Sequence, residues 1–162
     1  MEFHQDWKEF IRLLNKHEVR FLVVGAFAVA HHGWPRLTGD IDFWVAPDSD
    51  SAEQVAQVIE TFGFAVRVPG DASPFAISPR MIHLGRQPFQ IDVMNSIDGV
   101  AFEDAWIERE EGELGGETVA FLSRRHLVAN KKSTNRIKDD LDVAQLELIW
   151  EEGNDGGDDV PK

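Results

Sequence analysis

Apolar residues recur with two different periods along the first third of the chain. From Asp6 to His17 they fall at Trp7, Phe10, Ile11 and Leu14, the i, i+3, i+4, i+7 stripe of an amphipathic helix. Phe21 to Val24 is a short unbroken apolar run ending at Gly25, which predicts a strand followed by a tight turn. Ala26 to His31 holds three alanines and no Gly or Pro, so a short helix is expected directly behind the turn, stopped by Gly33 and Pro35. Asp40 to Val45 opens a second strand. Because strand side chains alternate, Asp40 and Asp42 project on one side and Ile41 goes into the core. Pro47 to Ser51 reads as a turn into a helix, with Asp50 three residues before Glu53 as the starting signal. Ala52, Val55, Ile59 and Phe62 then mark its buried face.

The second half is read with the same rules. Ala65 to Val68 is a candidate strand and Pro69 to Pro74 a loop. Met81 to Leu84 and Phe89 to Met94 are expected to form a hairpin through Gly85 to Pro88. In the second of these strands Phe89, Ile91 and Val93 face one way and Gln90, Asp92 and Met94 the other, which makes Asp92 the only charge on an apolar strand. Residues 99–106 read as helix, 107–117 as a charged, glycine-punctuated stretch, and Thr118 to Leu122 as extended. Ser123 is placed to cap a helix running to about Ser133. Thr134 and Asn135 break it before a last helix, Arg136 to Trp150, with a seam of Ile137, Leu141, Ala144 and Leu148. The expectation is one α/β domain over residues 1–150 and an acidic, disordered tail over 151–162.

Composition narrows the classes of function. The chain has 162 residues, 43% of them hydrophobic, and a net charge of −13. That is enough apolar material for one core, and the charge argues against broad adhesion to long duplex DNA or to an anionic membrane. No apolar run approaches the roughly 20 residues that a membrane span needs, and the polar N-terminus lacks the pattern of a signal peptide, so a cytoplasmic protein is expected. There is no cysteine, which removes disulfides, thiolate metal sites and cysteine nucleophiles. Against the acidic background stands one basic segment: residues 124–138 carry Arg124, Arg125, Lys131, Lys132, Arg136 and Lys138 and no acid.

The candidate chemistry lies between Phe21 and Val45. The first helical turn behind Gly25, with Ala26, offers free backbone N–H groups to an anion. Asp40 and Asp42, on one side of a strand, are placed to share a metal. Carboxylate oxygens suit Mg²⁺, with Mn²⁺ as the alternative. Arg36 is close enough in sequence to set a guanidinium on a phosphate beside that metal. His31 and His32 are neighbours at a helix end with no further His at ligand spacing, and are not expected to converge on one ion.

Strand, Gly turn, short helix and a strand opening Asp40-Ile41-Asp42 resembles the DNA polymerase β-like nucleotidyltransferase superfamily. The run Gly25 to Ala30 with His32-Gly33, Pro35-Arg36 and Thr38 resembles its small bacterial branch, which includes AbiEii-like toxin enzymes. Gly25-Ala26 stands where the superfamily usually has Gly-Gly or Gly-Ser. The segment Asn130 to Asp139 with Asp142 is similar to a C-terminal motif of the same branch, with Lys132 in place of an arginine and Asn135 in place of a glycine. The resemblance implies a mixed sheet flanked by helices, an NTP substrate, Mg²⁺, and transfer of a nucleoside monophosphate to a hydroxyl of an RNA such as tRNA, a protein or a small molecule. It further implies a place in a toxin–antitoxin pair with a cognate antitoxin. Asp92 becomes the third metal ligand, on the acceptor side. Lys131 becomes a triphosphate or catalytic lysine, and Arg136 and Lys138 become further phosphate or acceptor contacts. The competing expectation is a non-catalytic nucleotide- or partner-binding protein of the same fold, favoured by Ala26. Asp139 and Asp142 are read as acids that merely favour a helix N-terminus.

Overall fold

The computed structural model describes residues 3–64 and 79–155. In chain order the elements are α1 (Gln5–Lys16), β1 (Phe21–Val24), α2 (Gly25–His31), β2 (Asp40–Val45), α3 (Ser49–Phe62), β3 (Met81–Leu84), β4 (Gln90–Met94), α4 (Phe102–Ile107), β5 (Glu110–Leu114), β6 (Glu117–Phe121), α5 (Arg124–Ser133) and α6 (Ile137–Asp155). The expected strand at Ala65 to Val68 and the loop at Pro69 to Pro74 lie outside the described residues, as do residues 156–162 of the acidic tail.

The strands form one mixed sheet in the order β3-β4-β2-β1-β6-β5. β2 runs parallel to β4 and antiparallel to β1, β1 runs parallel to β6, and β3/β4 and β5/β6 are antiparallel pairs. Alternation assigns the faces. Ile41 and Phe43 are fully buried, and Phe43 meets Phe10 of α1 at 5.6 Å between ring centroids. Phe10 also meets Phe62 of α3 at 5.3 Å, so α1 and α3 cover that side together. Trp44 belongs to the side of Asp40 and Asp42 and packs edge-on against Phe102 of α4 at 5.1 Å. The aspartates therefore share their face with a closed aromatic core and come at the opening end of the strand.

Several local expectations change. Asp48, not Asp50, caps α3, its carboxylate accepting from the Ser51 amide at 2.7 Å. The charged stretch 107–117 contains an edge strand, β5, turned into β6 by Gly115 and Gly116, both at positive φ as a two-residue hairpin demands. Its glutamates are what an unpaired sheet edge tolerates. α6 continues past Trp150 to Asp155 and is rotated relative to the expected seam. Ile137 is 81% exposed, Leu141 64% and Leu148 50%, whereas Asp139, Asp142, Val143 and Leu146, also spaced i, i+3, i+4, i+7, are buried. The two aspartates belong to an ionic network that only this rotation completes.

Candidate active site

β1 leads directly into Gly25, which has φ +64°, and a Cβ there would come within 2.2 Å of Oδ2 of Asp42. Conformation and space both call for glycine, since the turn is pressed against the carboxylate. β2 carries Asp40 and Asp42. The parallel register of β4 sets Asp92 beside Asp42 and Gln90 beside Asp40. One oxygen each of Asp40, Asp42 and Asp92 lies within 4.8 Å of the others. Two of the three carboxylates are held in place. The Thr38 hydroxyl donates to Oδ1 of Asp40 at 2.7 Å, and Nε2 of Gln90 donates to Oδ1 of Asp92 at 2.8 Å. Nδ1 of His83 on β3 also lies 2.7 Å from that oxygen, and its proton must point to Asp92. Among the described residues no group donates a hydrogen bond to Asp42. Burial first, and then the charges of Asp40 and Asp92, push its pKa up to about 7, against a smaller opposing pull from Lys138 and Lys131. Among the described residues no Lys or Arg bonds to any of the three carboxylates. A divalent cation with oxygen ligands fits the donor set.

The facing wall comes from the β2 approach and the α5–α6 junction. Lys131 is buried, its ammonium donating to Oδ1 of Asp139 and Oδ2 of Asp142, both at 2.9 Å. Arg36 donates to the same Oδ2 of Asp142 at 3.1 Å, and Nε of Arg136 pairs with Oδ2 of Asp139 at 3.0 Å. Burial works against the Asp139 carboxylate, but hydrogen bonds from Thr134 and Lys131 hold its pKa below the ordinary range. Asn135 turns the chain between the helices at φ +54°, a left-handed conformation that Asn tolerates. Asp139 and Asp142 are thus interior counter-ions, correcting their reading as surface acids at a helix start. Lys138 makes no ion pair among the described residues.

Gly25, Ala26, Arg36, Asp40, Asp42, Asp92, Lys131, Arg136 and Lys138 all line one cleft of about 400 Å³. Sequence reasoning missed His83, Gln90 and Thr38 as supports for the carboxylates. Gln90 was legible, since it stands two residues from Asp92 on the same strand face. His83 was not, because only the β3–β4 register opposes it to Asp92. Away from the cleft, His31 and His32 converge with Glu110, contrary to expectation.

No protein-family model matches the chain, and no curated protein matches it in sequence. Solved structures do match. The lincosamide antibiotic adenylyltransferase LnuA, solved with lincomycin bound, is similar over 92% of this chain and 99% of its own, with a TM-score of 0.60 at 15% identity. A Thermotoga maritima protein, TM1012, ascribed to the nucleotidyltransferases, is similar over 90% of this chain and 91% of its own, with a TM-score of 0.54 at 16% identity. At such identities the likeness shows the fold. It is the α/β nucleotidyltransferase fold, a six-stranded mixed sheet flanked by helices.

Proposed function

We propose that the protein transfers a nucleoside monophosphate from an NTP to a hydroxyl of a small-molecule acceptor, with Mg²⁺ bound by Asp40, Asp42 and Asp92. The observation that carries this reading is the convergence of those three carboxylates, with no Lys or Arg bonded to them among the described residues, in a cleft whose other wall is basic. The fold supports the reaction class. The small-molecule acceptor is supported by LnuA, a chain of similar extent that acts on a lincosamide, and by the acidic net charge of −13, which disfavours a long nucleic acid.

Held in this corner, Mg²⁺ would neutralise triphosphate charge and acidify the acceptor hydroxyl. The protein's own groups divide the remaining work. Asp92, aligned through Oδ1 by His83 and Gln90, takes the proton from the acceptor hydroxyl as its oxygen bonds to the α-phosphorus. Pyrophosphate leaves with the electron pair of the broken P–O bond. Arg136 and Lys138, the exposed cations of the cleft, hold its charge, and Arg36 supports the wall beside them. Lys131, already bound to two carboxylates, acts as a positioning residue that fixes the α5–α6 junction. The backbone at Gly25 and Ala26 closes the cleft against the phosphates.

The test is incubation of the wild type and Asp42→Ala with Mg²⁺ and each α-labelled NTP, ATP first. Cellular RNA and protein would be supplied as macromolecular acceptors, and lincomycin and a metabolite extract as small ones. Denaturing gels and thin-layer chromatography separate the products. The proposal expects label on a small molecule with wild type alone. Label on RNA or protein keeps the reaction, returns the toxin-like acceptor class and overturns the small-molecule assignment. A folded wild type that labels nothing overturns the reaction and favours a binding module.

A further inference from the structure

We propose that His31, His32 and Glu110 form a binding site for a transition-metal ion of the zinc class, clipping the C-terminal end of α2 to the edge strand β5. One ring nitrogen of each of His31 and His32 and a carboxylate oxygen of Glu110 lie within 4.8 Å of one another. The two measured edges are 3.3 Å from His31 Nε2 to Glu110 Oε2 and 3.7 Å from His32 Nδ1 to the same oxygen. A tetrahedral ion with bonds of about 2.0–2.1 Å has ligand–ligand edges of about 3.3–3.4 Å, so the two edges stand within a few tenths of an ångström of a bound site. Two imidazoles and a carboxylate are a zinc donor set, unlike the all-oxygen corner of the cleft.

The tautomer of His32 supplies an independent argument. Nε2 of His32 lies 2.9 Å from the Leu122 carbonyl, which can only accept, so the ring proton resides on Nε2. In the neutral ring Nδ1 then presents a bare lone pair toward Oε2 of Glu110, an acceptor 3.7 Å away. A metal ion between them would bind both lone pairs, and a ring N–H given to a backbone carbonyl is the usual support of a metal-bound imidazole. The His31 ring is fixed as well, stacked on Phe121 at 4.0 Å and 6°. Gly112 leaves room for that stack, since a Cβ there would approach Cε1 of His31 at 3.2 Å and Phe121 more closely still. β5 pairs with a strand on one side only, and the clip would secure it.

The experiment uses tag-free, chelator-stripped full-length protein titrated with Zn²⁺ by calorimetry and with Co²⁺ by visible absorption, together with melting curves. The expected result is one Zn²⁺ per chain, displacing Co²⁺ that shows the intense bands of a four-coordinate N/O site. Binding should persist in Asp42→Asn, and fall at least about tenfold in Glu110→Gln and in His31→Gln, two partly exposed positions whose replacement leaves the core intact. Zn²⁺ should raise the melting temperature of the wild type and of Asp42→Asn but not of the other two variants. A wild type that does not bind Zn²⁺, ligand variants that bind it undiminished, or binding lost in Asp42→Asn would each overturn the site.

Discussion

The two walls of the cleft handle buried charge in opposite ways. On the α5–α6 side, the buried Asp139 and Asp142 share Lys131, and each is paired with an arginine as well, Arg136 and Arg36. At the strand ends, Asp40 accepts from Thr38 and Asp92 from Gln90 and His83, and among the described residues neither these two nor Asp42 is bonded to a Lys or Arg. Every charge taken from water needs a partner. Where the chain provides it, the result is structural. Where it does not, the partner is expected from outside, which is the role proposed for Mg²⁺. Asp139, with a lowered pKa, and Asp42, pushed up to about 7, report the two conditions on the same residue type.

Breaking the paired network should have the largest effect. Lys131→Met leaves two buried carboxylates without their shared cation and is expected to cost about 3–5 kcal/mol of stability, read from urea unfolding. Removing a charge from the open corner should do the reverse in the metal-free protein while removing the proposed activity. Asp42→Asn is expected to raise the melting temperature without Mg²⁺ and to lower the transfer rate by about 10²–10³-fold, a comparison that fails if both walls respond alike. Gly25→Ala forces a left-handed backbone on a residue with a Cβ and drives it into Asp42. A loss of about 1–3 kcal/mol is expected, together with weaker NTP binding in equilibrium titrations.

The pH dependence sharpens the contrast further. Asp42 titrates near 7 in the folded protein against 3.8 for the free group, so its protonated form favours folding. That contribution is complete below about pH 4 and lost as pH rises through 7. Melting curves without divalent ions should fall between pH 5 and pH 8, Asp42→Asn should flatten that slope, and Mg²⁺ should restore stability at pH 8 more than at pH 5. The smallest effect is expected from His83→Ala, which removes one of two donors to Asp92. A loss of about tenfold or less in kcat, with unchanged melting, would fit alignment of the carboxylate rather than direct contact with substrate.

Local sequence rules were sufficient for β1, β2, β3 and α5, whose boundaries follow from an apolar run or a capping serine. They were also sufficient for the face shared by Asp40 and Asp42. The hairpin of β5 and β6 was legible in Gly115-Gly116, though three glutamates disguised the strand. α6 illustrates the limit. Its apolar stripe at Ile137, Leu141 and Leu148 is a correct helical pattern, yet it faces solvent because Asp139 and Asp142 must reach Lys131 and Arg36.

The sequence by itself determined which side chains share a face within each element, where the chain turns, and which residue types carry the chemistry, because these depend on neighbours a few positions away. Only the tertiary structure decided that Asp92 stands beside Asp42, that His83 supports it, that Lys131 is paired with acids, and that Glu110 meets His31 and His32. Strand register and helix rotation are set by contacts between separate elements, whether near in sequence, as for His83 and Asp92, or far apart, as for Arg36 and Asp142. There, satisfying buried charges together outweighs the periodicity of any single element.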